Sequence, residues 1–396
     1  MKQYDRVWAT VDLDCIADNI RSIKNNIRTS ENGKSAGIIA AVKADAYGHG
    51  MIPVARAIEP YVAGYGVATA DEALMLRRHG LDKPILLLST PNRRRFSELV
   101  AADVRVALYT LSHARALSET AVSQGRTAVI HIAVDTGMSR IGLSPSAENA
   151  DLVKAISELP ALEVEGIFTH LAKADYLDKS FTMKQADAFA AFLAMLSERQ
   201  VKIPYQHISN SAGIHDLPEF GFDLVRAGIS IYGMYPSDEV GRDSIRLQPV
   251  LRLYSEITYV KTIPAGTPVG YGSTYVAGSS RSIATIPIGY GDGYPRSLSN
   301  RGYVLIHGQR APIVGRICMD QMMVDVSEIT AAEGDVVTLI GRDGDEVIEV
   351  ETLADLCDGF HYEIICGLGK RIPRVYLQNG KVTACKDYFS DTFEIV

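Results

Sequence analysis

Up to about residue 235 the chain repeats one pattern. A short apolar, β-branched run is followed by a longer stretch in which apolar residues recur at helical spacing. The apolar runs are GIIAAV (37–42), YGVAT (65–69), ILLLS (85–89), VRVALY (104–109), AVIHIAV (128–134), VEGIFTH (164–170), YQHIS (205–209) and DLVRAG (223–228). Between them lie helix-like segments such as DEALMLRRHG (71–80) and SFTMKQADAFAAFLAMLSERQ (180–200). Strand-like runs alternating with helices predict a parallel sheet with helical crossovers, and a count of eight favours a closed (β/α)8, TIM-like barrel. An open doubly wound sheet is the rival. The absence of GxGxxG after the first run weighs against it.

After about residue 240 the texture changes. Alternating runs follow one another without long helices: LRLYSEITYVKTI (251–263), SIATIPIG (282–289), YVLIHG (303–308), APIVGRI (311–317) and DVVTLIG (335–341). Glycine and proline punctuate them, which predicts a mostly-β domain. ETLADLCDGFHYEIICGLG (351–369) is expected to include one helix. The expected division is an α/β barrel over 12–240 and a mostly-β domain over 241–396 that also takes in 1–11.

Length agrees with two domains, because single cores stop growing near roughly 250–300 residues and this chain has 396. The net charge is −7, and the longest basic run is Arg93-Arg94-Arg95, read as a solvated helix start; nucleic acid is not an expected partner. Five cysteines with no CxxC pair indicate neither a disulfide framework nor a zinc ribbon, so no metal site is expected. The N-terminal MKQYDRVWATVDLD has no apolar h-region, and no run approaches the about 20 apolar residues of a membrane span. A soluble, cytoplasmic protein with reduced thiols is the expectation.

In a barrel, side chains at the C-terminal ends of strands converge on one face, where active sites sit. The polar residues at those ends are Lys43, Asp135 and Arg140, His170, Asn210 and Ser211, and Arg226 with Gly228. Taken singly, each has a bland explanation: a solvated cap, a turn, a histidine at a core edge. Their shared position at the same end of successive strands is what the bland explanations do not predict. A lysine in an apolar pocket has its ammonium disfavoured, so the amine can attack a carbonyl. Pyridoxal 5'-phosphate is the cofactor that most often uses such a lysine. Its phosphate needs hydroxyl and backbone N–H donors, and Ser211 with the Gly228-Ile229 amides lies where barrels commonly bind phosphate.

VKADAYGHG (42–50) resembles the pyridoxal-phosphate attachment motif of the alanine racemases. The likeness continues in order through DTGMSRIG (135–142), FTH (168–170), HISNSAG (207–213), VRAGISIYG (225–233), VGYGSTY (269–275), TIPIGYGDGYPR (285–296), VGRICMDQ (314–321) and YEIICGLGKRIPRVY (362–376). The resemblance implies that Lys43 holds the cofactor as a Schiff base and is one of two acid–base groups. Tyr271, supplied by the second subunit of a homodimer, is the other, on the opposite face. It implies that Arg226 faces the pyridine nitrogen with His170 beside it, supporting both Arg226 and Tyr271. Tyr47, Ser211, Gly228, Ile229 and Tyr362 hold the phosphate. Arg140 contacts the cofactor's phenolic oxygen and the substrate carboxylate. Met319 and Asp320 of the partner line the substrate side, with Tyr290 near the entrance. Two fixed bases suit racemisation, because one base swinging across is geometrically awkward. A free tyrosine, with pKa about 10, needs nearby cationic or hydrogen-bond-donating groups to serve as a base at neutral pH.

One departure from the family pattern concerns Arg140. Many members carry a carbamylated lysine two residues before the aspartate of DTGM, and here that position is Ala133. A bound anion such as chloride, or a nearby side chain, is expected to take its place beside Arg140. Gly291 stands in GYGDGY where the family often has alanine. The implied activity is interconversion of L- and D-alanine, supplying D-alanine for cell-wall peptidoglycan. A serine or broader amino-acid racemase keeps the mechanism and changes the substrate. A non-catalytic pyridoxal-phosphate homeostasis protein would resemble the barrel half alone.

Overall fold

The computed structural model describes residues 6–27 and 35–388, together with the backbone of 392–395. Residues 1–5, which open MKQYDRVWATVDLD, lie outside the described residues, as does residue 396. The chain forms two compact units. One comprises Cys15–Ala46 and Met51–Gln248, the other Met1–Asp14, Tyr47–Gly50 and Pro249–Val396. The first strand, β1 (Val7–Asp12), belongs to the second of these.

The 15–248 unit is a barrel of eight parallel strands. They are β2 (Gly37–Ala41), β3 (Gly64–Val67), β4 (Ile85–Leu87), β5 (Val104–Leu108), β6 (Ala128–Ala133), β7 (Leu162–Phe168), β8 (Tyr205–His207) and β9 (Leu224–Ala227). From β2 to β8 each pairs with the next, and β9 returns to pair with β2. The remaining gap, between β8 and β9, is bridged by the N–H groups of Asp223 and Arg226, which donate to the carbonyls of Gln206 and Ser209 at 3.1 and 2.9 Å. All eight runs read as strands in the sequence form strands of this barrel.

Side chains fill the barrel. Ile39, Leu86 and Leu224 pack together with Leu88. Ala107, Ala133 and Phe168 pack with Tyr109 and Ile141. The outer helices follow the sequence signals. Ala70–Arg78 opens with a capping box between Thr69 and Glu72, buries Ala70, Ala73 and Leu76 at threefold spacing, and ends on Arg77 and Arg78, which suit the negative end of its dipole. The Arg93–Arg95 run is a 3-10 turn that enters the helix Phe96–Ala101, and Arg95 pairs with Asp71 and Glu98.

The segment after Lys43 departs from any sequence expectation. Ala44, Asp45, Ala46 and Tyr47 all adopt left-handed backbone, with φ between 51 and 54°. Each such L-residue costs roughly 1–2 kcal/mol. Local hydrogen bonds offset this: Ala46 N–H donates to the Val42 carbonyl (2.8 Å), Ala44 N–H to Glu72 Oε1 (2.7 Å), and Met51 N–H to Asp45 Oδ1 (2.7 Å). Glu72 therefore serves both its own helix start and the turn that follows the lysine.

The other unit is mostly β. Its strands after β1 are β10 (Leu251–Glu256), β11 (Tyr259–Ile263), β12 (Pro268–Val269), β13 (Tyr275–Val276), β14 (Arg281–Ile286), β15 (Tyr303–Ile306), β16 (Gln309–Pro312), β17 (Met322–Asp325), β18 (Val336–Asp343), β19 (Glu346–Ile348), β20 (Arg374–Gln378), β21 (Lys381–Asp387) and β22 (Thr392–Ile395). The large sheet runs β16-β15-β18-β10-β1-β20-β21-β22, with β19 on β18. A smaller sheet holds β11-β14-β17, and β12 pairs with β13.

Two expectations are corrected here. The run 251–263 is two strands in different sheets, broken at Ile257 and Thr258, whose N–H groups donate to Asp335 and Thr285. The segment 351–369 holds two helices, Val350–Leu356 and His361–Gly367. Asp358, at φ +52°, and Gly359 turn the chain between them. Among the described residues, no helix is long and apolar enough to cross a membrane.

Gly48, at φ +80°, lies against the second of those helices; a Cβ there would sit 2.1 Å from the Ile365 carbonyl oxygen. The Gly48 carbonyl accepts from Arg374 Nε at 3.0 Å. Strain and collision therefore coincide, and the atoms that a Cβ would meet are all backbone. Gly48→Ala is expected to lower stability by about 2–4 kcal/mol. Chemical denaturation checks it, and a loss below about 1 kcal/mol would show that the backbone there yields.

Candidate active site

The barrel brings its strand-end residues together. Arg226, on β9, is buried at the centre. Its Nη1 donates to His207 Nδ1 (2.7 Å) and to the His207 carbonyl (3.1 Å). Its Nη2 donates to the carbonyls of Thr169 (2.7 Å) and Ile208 (2.9 Å) and to His170 Nδ1 (3.2 Å). The four η hydrogens are thus committed. Nε–H is the donor left without a protein partner among the described residues.

Burial, and then the charge of Arg140, pull the Arg226 pKa down to about 9, so the guanidinium stays charged at neutral pH. His170 is held well below the ordinary histidine range by burial, then by Arg226, Arg140 and Lys43. Lys43, Arg140, His170 and Arg226 therefore share one electrostatic neighbourhood. His170 is neutral, and because its Nδ1 accepts from Arg226, its proton is on Nε2.

The same logic runs inward through residues that sequence reading passed over. His207 Nδ1 accepts from Arg226, so its Nε2–H donates to His131 Nδ1 at 2.9 Å. The His131 Nε2–H in turn donates to Glu165 Oε2 at 3.0 Å. Burial first, and the charge of Arg226, keep both histidines below the ordinary range. Burial opposes ionisation of Glu165, but the hydrogen bond from His131 and the charge of Arg105 outweigh it and lower its pKa. Phe168 stacks on His207 with centroids 5.0 Å apart and lies under the Arg226 guanidinium. The sequence did carry a signal: His131 and His207 sit inside apolar strand runs, and Gly166 on β7 is where a Cβ would be 2.4 Å from His131 Nδ1.

Ser211 begins the helix Ser211–Asp216, capped by Asn210, and its hydroxyl accepts the Gly228 N–H at 2.9 Å. Gly228 and Ile229 start the 3-10 turn after β9. Asp135 has the bland role after all: its carboxylate accepts the N–H groups of Gly137 and Ser139, which builds a turn. Arg140 is exposed and forms no hydrogen bond or ion pair among the described residues. Ala133 is buried with Ala107 and Phe168. Among the described residues no side chain pairs with Arg140, and position 133 is packed as apolar core.

The β unit carries the remaining predicted residues in three places. Tyr47 and Tyr362 face each other with centroids 6.1 Å apart, and Phe360 stacks on Tyr362 at 4.5 Å. Burial, aided by Cys366, pushes the Tyr47 phenol up, so it stays a protonated donor. Elsewhere the N–H groups of Tyr290 and Gly291 donate to the carbonyls of Cys318 and Met319 at 3.1 and 2.8 Å, which sets Tyr290 beside Met319 and Asp320. Asp320 pairs with Arg371 at 2.7 Å, Arg371 lies 3.4 Å from the buried Asp292, and Arg6 pairs with Asp292 at 2.7 Å. Arg371, Asp292 and Arg6 were not singled out in the sequence. A Cβ at Gly291 would meet Arg371 Nη1 at 2.7 Å. Tyr271 stands on a turn against Arg316 and is 70% exposed.

Among the described residues, no group of three or more His, Cys, Asp or Glu side chains could hold a metal ion. The barrel residues do fit pyridoxal 5'-phosphate. A charged donor with one free N–H suits an unprotonated ring nitrogen, and a buried hydroxyl beside turn amides suits a phosphate.

The buried histidines have a consequence for stability. His131, His170 and His207 all have native pKa values below 6.5, the unfolded value. Their contribution is therefore present above pH 6.5 and is lost as the pH falls, because only the unfolded chain binds those protons. Each is expected to withdraw up to about 1.4 kcal/mol per pH unit below 6.5. His207→Gln removes one such group, and its slope of unfolding free energy between pH 6.5 and 5 should shrink by about one proton. An unchanged slope would show that His207 is protonated in the native state.

Comparison with known proteins agrees with this arrangement. Residues 11–236 match the model for the alanine racemase N-terminal domain, and residues 250–376 match that for the C-terminal domain. The alanine racemase of Methanococcus maripaludis is 43% identical over 373 residues, covering 94% of this chain and 98% of that protein. The alanine racemase of Clostridium difficile 630 superposes with a TM-score of 0.93 at 36% identity, covering 98% of this chain and 100% of that one. That of Bartonella henselae, whose crystal structure has covalently bound pyridoxal phosphate, superposes with a TM-score of 0.83 at 30% identity, covering 94% of this chain and 100% of that one. A barrel with a lysine after its first strand and a charged arginine on its last, matched along both domains, belongs to the alanine racemase family of pyridoxal-phosphate-dependent isomerases.

Proposed function

We propose that the protein interconverts L- and D-alanine with Lys43 and Tyr271 as two bases on opposite faces of the bound cofactor. The observation that carries this reading is the shared neighbourhood of Lys43, Arg140, His170 and Arg226 at the strand ends, with Arg226 Nε–H left open. When bound, pyridoxal 5'-phosphate supplies a carbonyl for amine capture and a conjugated ring that spreads the electron pair left by α-proton removal.

Lys43 Nζ anchors the cofactor and holds or releases the proton on one face. The Tyr271 hydroxyl does so on the other. Arg226 donates to the ring nitrogen and, being charged, keeps it unprotonated. A ring nitrogen held in that form would draw electrons less strongly. Ser211, the Gly228 and Ile229 amides, Tyr47 and Tyr362 hold the phosphate, with the protonated Tyr47 phenol as one donor. Arg140 orients the substrate carboxylate, and Met319, Asp320 and Tyr290 border the substrate side. The exposure of Tyr271 and Met319, at 70 and 53%, supports a homodimer in which each subunit lends these residues to the other's barrel. Five free thiols agree with a cytoplasmic setting, and D-alanine production agrees with supply for peptidoglycan.

Purified enzyme with cofactor should exchange the α-hydrogen of both alanine enantiomers in D2O. Tyr271→Phe should abolish abstraction from one enantiomer at least about a hundredfold more than from the other. Absence of exchange from either enantiomer in the unmodified enzyme overturns the activity, and equal losses in the variant overturn the two faces. Assay of serine beside alanine reads the breadth of substrate.

With no acceptor bonded to Arg140 among the described residues, we expect a small anion such as chloride to fill that place. Replacing chloride by gluconate should then raise the KM for alanine several-fold. A KM indifferent to chloride would remove the anion from the site.

A further inference from the structure

His215 lies outside every role so far given. It is buried on the helix Ser211–Asp216, four residues after Ser211 and so on the same helical face. Its Nε2 is 3.0 Å from the hydroxyl of Ser230, which is also buried. Ser211 is bonded in the same way to Gly228 at 2.9 Å. One face of the helix is thus stitched twice to the turn after β9: Ser211 to Gly228, and His215 to Ser230 one helical turn on.

The protonation of His215 follows from its surroundings. Burial pulls its pKa down to about 4, against the charge of Asp216 and a hydrogen bond to the Gly241 backbone, so the ring is neutral. The Nε2–Ser230 bond is available to either tautomer, because a hydroxyl both donates and accepts. The neighbouring Asp216 is committed elsewhere, to Lys179 at 2.6 Å and to the Gly241 N–H at 3.0 Å. The Tyr235 ring covers the imidazole with centroids 5.5 Å apart. The ring is therefore held in one place.

We infer that His215 is a positioning residue for the phosphate of the cofactor: its bond to Ser230 fixes the Gly228-Ile229 amides relative to the Ser211 hydroxyl, so that they act as one cradle. This rests on the reading that Ser211, Gly228 and Ile229 hold that phosphate. Neither His215 nor Ser230 needs to touch the ligand. Without the second stitch the turn is tied to the helix at Ser211 alone, and the spacing of the donors loosens.

The test is the rate at which the holoenzyme releases pyridoxal 5'-phosphate, with alkaline phosphatase destroying what is released. His215→Leu is expected to release it about tenfold faster. His215→Gln, whose amide nitrogen reaches where Nε2 stood, should stay near the unmodified rate. Ser230→Ala should match His215→Leu, and the double variant should be no worse than either. Binding of pyridoxal, which lacks the phosphate, should be the same in all of them, whereas general loosening of the fold would weaken it too. Unchanged release in His215→Leu, additive losses, or equal weakening of pyridoxal overturns the inference. If His215→Leu does not fold, unchanged release in Ser230→Ala overturns it alone. Ser211→Ala separates the two readings: if it too leaves release unchanged, the phosphate assignment fails and takes this inference with it.

Discussion

Burying the Arg226 guanidinium takes a charge out of water, and the barrel meets that cost with three carbonyls and two imidazole nitrogens. Arginine only donates, so every partner must accept. That requirement fixes His170 and His207 as neutral rings with their protons on Nε2, and through His207 it fixes His131 and the ionised Glu165. A whole layer of the barrel interior thus takes its proton positions from one side chain. The fifth donor, left over, is the one that points to a ligand. Lysine at position 226 could not do the same, since an ammonium has three donors and would leave acceptors unfilled.

The barrel was legible because its signal is repetitive. Eight apolar runs at regular spacing survive errors of one or two residues at their ends, and each became a strand. The site was legible where chemistry interrupts a pattern: Lys43 after GIIAAV, Arg226 within a buried strand. The reading failed where a break is made by backbone geometry. Nothing in the hydrophobic period separates Val350–Leu356 from His361–Gly367; the left-handed Asp358 does. The four left-handed residues after Lys43 were equally invisible, because three are alanine or aspartate and they depend on Glu72, 28 positions away from Ala44.

Residues that act through others were also missed. His131 and His207 read as core residues of apolar strands, and so they are; their roles come from hydrogen bonds between strands that a linear pattern does not encode. Arg371 lies in a quoted motif, yet only the fold pairs it with Asp320. Ala133 shows the converse. Its departure from the family pattern was plain in sequence, but that it packs into an apolar cluster, while Arg140 has no hydrogen-bond or ion-pair partner among the described residues, is a property of the assembled barrel.

The placement of β1 bears on the order in which the chain can assemble. Residues 7–12 pair on one side with Leu251–Ser255 and on the other with Arg374–Leu377. During synthesis β1 therefore has no partner until Leu251 has been made, and its second partner arrives only with Arg374. The barrel strands, paired largely with their sequence neighbours, face no such delay. Closing a loop of that length costs little extra in entropy at equilibrium, since the penalty grows only logarithmically. In time it is different: the edge of Val7–Asp12 waits unpaired while the barrel forms, and a chain cut short before Arg374 would leave it half-paired permanently.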